Sequence, residues 1–371
     1  MTVVPVAPRL PANLETPALV IDLDIVERNA ERMAQAVAGR GVGLRPHIKT
    51  HKSVALAQIQ MAAGAVGVTV GTLGEAEVMA DDGISDVFLA YPLWAHGTKA
   101  ARLRALHERG GWAFSVGVDS VSSGRQLAAA VAGARRPLRV LIELDPGYHR
   151  TGTDPALAGE LGAELRALGL EVVGAFTHGG HVYQGREFVS PAAVDEVVAI
   201  ATGAAALRAR GIEPQILSAG STPTALAAAT GPVTEVRPGT YLINDRIQYH
   251  MGSCGPDEVA IAVAATVVSA SAGKFVIDAG AKSLTKDLPP YLTGYGFLPD
   301  YPDGVLERLS DYHGEIRLPD DYRGPLPALG DVVAVVPNHV CPVIDLFDSF
   351  IATRSGEIVG RWKVDARGRS G

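Results

Sequence analysis

Cysteine is nearly absent: the chain of 371 residues has two, Cys254 and Cys341. Two thiols cannot build a disulfide framework, which fits a reducing compartment and predicts a cytoplasmic protein. Positive charge is also in short supply, with 33 Lys plus Arg against 40 Asp plus Glu and a net charge of −7. A nucleic-acid binder needs a basic face for phosphates, so no nucleic-acid partner is expected. Long apolar runs are missing too. The longest, residues 259–273, is interrupted by Ser269 and Ser271 and falls short of the ~20 residues that a membrane span requires. It reads as a buried strand region, and no membrane partner is expected. The first ten residues carry Pro5 and Pro8 and lack a charged start ahead of an apolar core, so no secretory signal is read there. There is no short-period repeat, and no low-complexity tract beyond an alanine bias on helices.

What is present describes a compact globular protein: 47% hydrophobic and 20% charged residues, with 42 Gly and 24 Pro. At roughly 100–200 residues per domain, the length allows two or three domains. Eight strand-like runs rich in β-branched residues fall at 42–49, 66–70, 87–91, 113–118, 138–144, 172–178, 215–218 and 234–237. Between them lie amphipathic stretches long enough for crossover helices, at 54–63, 75–82, 99–109, 122–132, 155–167 and 192–210. Eight such repeats predict a closed (β/α)8 TIM-type barrel over residues 25–245. The structural alternative is an open doubly wound sheet, but no G-x-G-x-x-G follows the first strand. After residue 245 the helical period fades, and 259–270, 274–279 and 331–336 read as strands between Pro/Gly turns, a mainly β domain. Residues 18–23 have no barrel partner in this count and are expected to join the later sheet, so that 1–24 and 246–371 form the second domain.

In a barrel the chemistry lies at the C-terminal ends of the strands. The first ends in Arg45-Pro46-His47-Ile48-Lys49-Thr50-His51-Lys52, the fifth in Glu143-Leu144-Asp145 ahead of His149 and Arg150, and the sixth in Thr177-His178-Gly179-Gly180-His181-Val182-Tyr183. The seventh runs into Gly220-Ser221-Thr222-Pro223-Thr224 and the eighth into Arg237-Pro238-Gly239-Thr240-Tyr241. A Gly-flanked Ser-Thr turn ahead of a helix offers amides and hydroxyls to a phosphate, at the place where barrels usually bind one. The competing reading makes Ser221 a plain helix cap for residues 224–229. Lys49 ends a strand, where an amine can be desolvated and depressed in pKa as a Schiff-base lysine must be. Lys52, three residues on, is its competitor and is assigned to solvent or an ion pair. A strand-end lysine and a phosphate cradle at one barrel end are together what pyridoxal 5'-phosphate needs.

The β domain adds Pro337-Asn338-His339-Val340-Cys341. On an extended strand, His and Cys at i and i+2 share a face and can ligate one Zn²⁺. A buried thiol beside a hydrogen-bonded imidazole is the structural alternative. Two protein ligands would leave metal positions open to water or substrate.

Together, R-P-H-x-K-T-H-K, D-x-G-x-x-R-x-G, T-H-G-G-H-x-Y, G-S-T-P-T, R-P-G-x-Y, D-A-G, G-Y-G and P-N-H-x-C resemble the D-threonine aldolase and D-serine dehydratase family, fold-type III pyridoxal phosphate enzymes related to alanine racemase. The resemblance covers about residues 15–367. It implies that Lys49 bonds the cofactor, that Arg150 approaches its phenolic oxygen, that His178 lies against the pyridine ring and that Arg237 meets the ring nitrogen. An arginine there keeps that nitrogen unprotonated and shifts the burden to the metal. Gly220, Ser221, Thr222, Gly239, Thr240 and Tyr241 fall where the phosphate is held. His339 and Cys341 match the metal pair next to the substrate hydroxyl. His181, Tyr183, Tyr295 and His313 are pocket residues by the same comparison. Cys341 stands where aldolase members carry Asp and favours Zn²⁺ over Mn²⁺.

The expected activity is that of a metal-dependent lyase for β-hydroxy-D-amino acids. Dehydration would give a 2-oxo acid and ammonia, with Lys49 taking the Cα proton. Retro-aldol cleavage would give glycine and an aldehyde, with a base such as a metal-bound water or His178 taking the hydroxyl proton. An amino-acid racemase, which would not need the metal pair, and a non-catalytic carrier of the cofactor are the rival classes. The resemblance also implies a homodimer.

Overall fold

The computed structural model describes residues 6–371; the reading of the extreme N-terminus, Pro5 included, lies partly outside the described residues. By contacts the chain separates into two compact units. A β unit comprises the described residues up to Ala30, Thr50–Ser53 and Thr240–Arg367, and a barrel unit comprises Glu31–Lys49, Val54–Gly239 and Gly368–Gly371.

In chain order the strands are β1 (Ala18–Asp22), β2 (Gly43–Leu44), β3 (Val68–Val70), β4 (Asp86–Pro92), β5 (Ala113–Val118), β6 (Arg139–Leu144), β7 (Glu171–Thr177), β8 (Ile216–Ala219) and β9 (Glu235–Val236). They continue with β10 (Ile261–Ser271), β11 (Lys274–Ile277), β12 (Gly296–Phe297), β13 (Val305–Leu309), β14 (Gly314–Arg317), β15 (Val332–Pro337), β16 (Ser349–Arg354) and β17 (Glu357–Lys363). The helices are α1 (Leu23–Ala38), α2 (Val54–Ala62), α3 (Leu73–Asp81), α4 (Thr98–Glu108), α5 (Val121–Ala130), α6 (Ala158–Ala167), α7 (Val189–Ala209), α8 (Ala225–Ala228), α9 (Arg246–Met251), α10 (Ala281–Leu284) and α11 (Val340–Ile344).

The barrel unit is an eight-stranded parallel sheet in the order β2-β9-β8-β7-β6-β5-β4-β3. Its ends meet through a parallel bridge between His47 and Thr69, with Val66 N–H donating to the Leu44 carbonyl and Thr69 N–H to that of Pro46. The barrel is therefore closed, as the strand count predicted. Strands of this kind are buried on both faces, which explains their runs of Val, Ile and Leu. Phe88 and Phe176 meet edge to face at 5.0 Å and, with Leu141 and Val173, form one buried cluster.

One expected strand is much shorter than its sequence run. Residues 42–49 give only the two-residue β2, and Lys49 sits on a 3-10 turn, Ile48–Thr50. Pro46 has no N–H to give to a ladder, so regular pairing lapses before the lysine. Helix α7 buries Ala192, Glu196, Ala199, Ile200, Gly203, Ala204 and Leu207 on one stripe. The helical stretch Arg186–Ala209 is long and apolar enough to cross a membrane by length and composition. The stripe contains a glutamate and packs on β7 and β8, which is how a barrel helix behaves.

The β unit is built on β10, which pairs antiparallel with β1, β11 and β15. Strand β1, with no barrel partner, lies between β10 and β16, antiparallel to the first and parallel to the second. Its five residues are all buried.

Candidate active site

At the barrel's C-terminal end, charge converges on His178. Burial and then the cations Lys49, Arg150 and Arg237, followed by His181, push its pKa well below 6.5, so the imidazole is neutral at physiological pH. Lys49 itself is exposed, and its amide donates to His47 Nδ1 at 3.3 Å. Lys52 is nearly buried, and its Nζ reaches both oxygens of Asp345 at 2.9 Å. Of the two roles assigned to it, the ion pair is the one formed.

The loop after β6 is shaped by Asp145, which accepts from the amides of Gly147 and His149 and sits 2.7 Å from His149 Nδ1. That turn presents Tyr148 and Arg150. The Arg150 guanidinium lies 5.5 Å from the Tyr148 ring centre. Tyr148 in turn meets His178 edge-on at 6.1 Å and His181 at 6.4 Å. A Cβ on Gly180 would come within 2.3 Å of Tyr148 Cε1, so the second glycine of T-H-G-G-H makes room for a tyrosine that sequence reasoning passed over. His181 Nε2 is 3.1 Å from Asp195, and Tyr183 is half-buried on the following 3-10 turn.

Arg237 is buried and held from two sides, by Nη1 donating to Ser218 Oγ at 2.6 Å and Nη2 to the Thr177 carbonyl at 2.5 Å. Ser218 Oγ donates onward to Glu235 Oε1 at 2.7 Å, and Glu235 Oε2 accepts from Arg45 Nε at 2.8 Å. Arg45 also reaches Asp86 at 2.7 Å. Cation and anion alternate along this chain, so each buried charge has an opposite neighbour. Burial lowers the Arg237 pKa even so, against the pull of Glu235, Glu196 and Glu143.

The turn after β8 has the shape an anion needs. Gly220 adopts φ +77°, and a Cβ there would crowd Ala225 Cα at 3.0 Å and Val236 Cγ1 at 3.1 Å. Ser221 and Thr222 are each 7% exposed. The Ser221 hydroxyl shares a 3.1 Å contact with the Thr224 hydroxyl and caps no helix amide, since α8 has no side-chain cap. The plain cap reading is therefore not realised. Gly239 closes the barrel unit, and Thr240 and Tyr241 open a buried 3-10 turn in the β unit. A buried hydroxyl-bearing turn and three cations around a neutral imidazole fit an anionic, aromatic phosphate cofactor.

In the β unit the expected strand geometry for His339 and Cys341 is not found: β15 ends at Pro337, His339 is the N-cap of α11, and Cys341 lies in its first turn. Pro337 can end the ladder, and the extended His339 (φ −132°) followed by helix still brings the two side chains into hydrogen-bonding contact. His339 Nδ1 is 2.6 Å from Asp287 Oδ2. Burial disfavours its cation, but Asp287 and Cys341 outweigh this and raise the pKa to about 11. Cys341 Sγ lies 3.4 Å from Thr50 Oγ1. Asp245, buried and raised to about 6 by that burial, accepts from the Val340 amide and fixes the start of α11. Asn338 Nδ2 donates to the Asp287 and Gly294 carbonyls, tying down the loop that carries Tyr295. Imidazole, thiol and carboxylate form a donor set suited to a divalent cation, although among the described residues no three such groups are already arranged as a shell. His313 is exposed and joins neither constellation.

Residues 21–246 match the family described as alanine racemase, N-terminal domain, and residues 260–353 match a putative serine dehydratase domain. The D-threo-3-hydroxyaspartate dehydratase of Delftia sp. strain HT23 is 36% identical, over 94% of this chain and 97% of its own. The D-threonine aldolase of Arthrobacter sp. is 32% identical, over 97% and 94%. Among solved structures, the D-threonine aldolase from Filomicrobium marinum superposes with a TM-score of 0.88 at 34% identity, covering 99% of this chain and all of its own. A D-threo-3-hydroxyaspartate dehydratase has been solved with a histidine replaced by alanine and, in a metal-free form, with a cysteine replaced by alanine.

Proposed function

Because the chain belongs to the D-threonine aldolase and D-serine dehydratase family of fold-type III pyridoxal phosphate enzymes, we propose that it dehydrates a β-hydroxy-D-amino acid to a 2-oxo acid and ammonia. It is a pyridoxal phosphate-dependent lyase acting on β-hydroxy-D-amino acids; the choice of dehydration, the metal and the residue roles are the proposal. Cys341 carries that choice. The D-threo-3-hydroxyaspartate dehydratase has been studied as a cysteine variant in a metal-free form, and a cysteine stands here within reach of His339.

Bound pyridoxal phosphate supplies an electron sink for charge released at Cα, and a divalent cation supplies a Lewis acid for the β-hydroxyl. Lys49 offers the amine that bonds the cofactor and the base that takes the Cα proton. Arg150 is assigned to the cofactor's phenolic oxygen. Arg237 has donors only and, fixed by Ser218 and Thr177, is assigned to the ring nitrogen, which it leaves unprotonated. His178 presents a neutral imidazole to the ring; the surrounding cations make it a weak base for the hydroxyl proton. Ser221, Thr222, Gly220 and Gly239 take the phosphate, with Thr240 and Tyr241 following Gly239 in the chain, and Tyr183 completes the cofactor set. His339 and Cys341 hold the metal, for which imidazole and thiolate favour Zn²⁺ over Mn²⁺. A cytoplasmic homodimer remains the proposed state, checked by fractionation and sedimentation.

The test is a substrate panel with D-threo-3-hydroxyaspartate, D-serine and D-threonine. A 2-oxo acid with stoichiometric ammonia supports dehydration, whereas glycine plus an aldehyde replaces it with the aldolase reaction. The absorbance band of the imine between cofactor and lysine should be lost in Lys49→Ala; its persistence there would move the assignment to Lys52.

A further inference from the structure

Helix α7 carries a glutamate in its buried apolar stripe, Glu196, with no exposure to solvent. A carboxyl group there must be held by neighbours or be costly to keep. Its Oε1 accepts the Gly179 amide at 2.9 Å. Gly179 follows His178 directly, and a Cβ on it would lie 3.0 Å from Glu196 Cγ, so the turn rests against the carboxyl group. The Thr224 hydroxyl and the Gly220 amide also lie near enough to favour the ionised form, although burial raises the pKa against them. Oε2 is buried and makes no hydrogen bond of good geometry. Thr224 in turn accepts from the Ser221 amide at 2.9 Å and meets its hydroxyl at 3.1 Å. One side chain thus holds the loop that carries His178, while its helix packs on α8, whose N-cap Thr224 bonds the turn that carries Ser221.

We propose that Glu196 is a positioning residue for the cofactor: from α7 its carboxyl group holds the loop after β7 and the turn after β8 at the spacing that the pyridine ring and the phosphate require together. This rests on the reading of the barrel end as a pyridoxal phosphate site. Without Oε1, the Gly179 amide loses its acceptor in a buried setting, and Thr224 loses a neighbour that orients its hydroxyl toward the phosphate turn. Glutamine keeps an acceptor in the same place.

The experiment measures equilibrium affinity for pyridoxal phosphate and for pyridoxal, which lacks the phosphate, in the full-length wild type, Glu196→Ala, Glu196→Gln and Gly179→Ala. Glu196→Ala should weaken pyridoxal phosphate about tenfold or more, the effect of losing one buried charge-assisted hydrogen bond, and should weaken pyridoxal less. Glu196→Gln should recover most of the loss. Gly179→Ala reaches the same contact from the loop side, should weaken binding as well, and serves if Glu196→Ala does not fold. Wild-type affinity in Glu196→Ala, or an equal loss for both ligands without rescue by glutamine, overturns the inference. If the wild type itself takes up no pyridoxal phosphate, the proposed function falls first and this inference with it.

Discussion

Glu235→Gln tests whether the charge chain inside the barrel supports the fold. Glu235 is 4% exposed and is the anion shared by Arg45 and, through Ser218, by Arg237. Glutamine keeps the shape: its oxygen can face Arg45 Nε, but its amide then meets the Ser218 hydroxyl donor to donor, and that hydroxyl loses its acceptor. The charge also goes, so the contact to Arg45 weakens by about 1 kcal/mol, and the buried Ser218 hydroxyl left without an acceptor costs about 1–3 kcal/mol. Two buried cations also lose their common counter-ion, and full removal of one partner of a buried pair costs about 3–5 kcal/mol. The expected loss is about 2–4 kcal/mol. Asp86 is the internal control, because it bonds the same arginine but its side chain is 32% exposed, and Asp86→Asn should cost under about 1 kcal/mol. The assay is urea unfolding of the cofactor-free protein followed by the fluorescence of the buried Trp112 in the barrel, with Trp94 and Trp362 replaced by Phe. A Glu235→Gln loss no larger than that of Asp86→Asn would refute the burial argument.

Three further outcomes are expected. Burial and nearby cations lower the His178 pKa, so below its ordinary value of 6.5 the unfolded chain binds a proton that the folded one refuses. Stability of the cofactor-free protein should then fall with pH, by up to about 1.4 kcal/mol per pH interval; a pH 5.5–7.5 stability profile of His178→Gln as steep as that of the wild type would contradict this. Gly180→Ala must displace Tyr148, and kcat/KM should drop about tenfold; because the alanine acts through the ring, Tyr148→Ala should add little in the double variant, and full additivity would deny the contact. Elemental analysis of dialysed protein should find one divalent metal per chain, lost in both His339→Ala and Cys341→Ala; full metal content in either would return P-N-H-V-C to a structural role.

Much of the barrel was legible because strands buried on both faces leave runs of Val, Ile and Leu that polar ends punctuate, and the reactive residues stand at those ends. Local geometry was less so. The run 42–49 looks like one strand, but Pro46 has no N–H for the ladder, which thins to a lone bridge at His47 before Lys49 enters a turn. The pair His339 and Cys341 was readable as a pair, though not as a cap and first turn. In the β unit, β16 and β17 were missed, the second having charged residues at Glu357, Arg361 and Lys363 and little burial. Asp287 meets His339 from 52 positions away, a contact no spacing rule reveals. Glu196 did leave a signal: it is the lone carboxylate on an otherwise apolar stripe repeating every three or four residues. Asp245 left another as the N-cap whose side chain accepts from the Gln248 amide.

The placement of β1 has a consequence for biosynthesis. Val20 pairs with Ile351 and Ala262, so the first strand to leave the ribosome sits between two that leave long after it. At roughly 5–20 residues per second, it waits on the order of tens of seconds for its last neighbour, while the barrel can close earlier. Throughout that interval five buried-type residues, Ala18–Asp22, present an open edge suited to unwanted pairing with other chains. Premature termination before residue 349 would make that exposure permanent, so nascent chains and C-terminal truncations should be clients of holding chaperones even though their barrel sequence is intact.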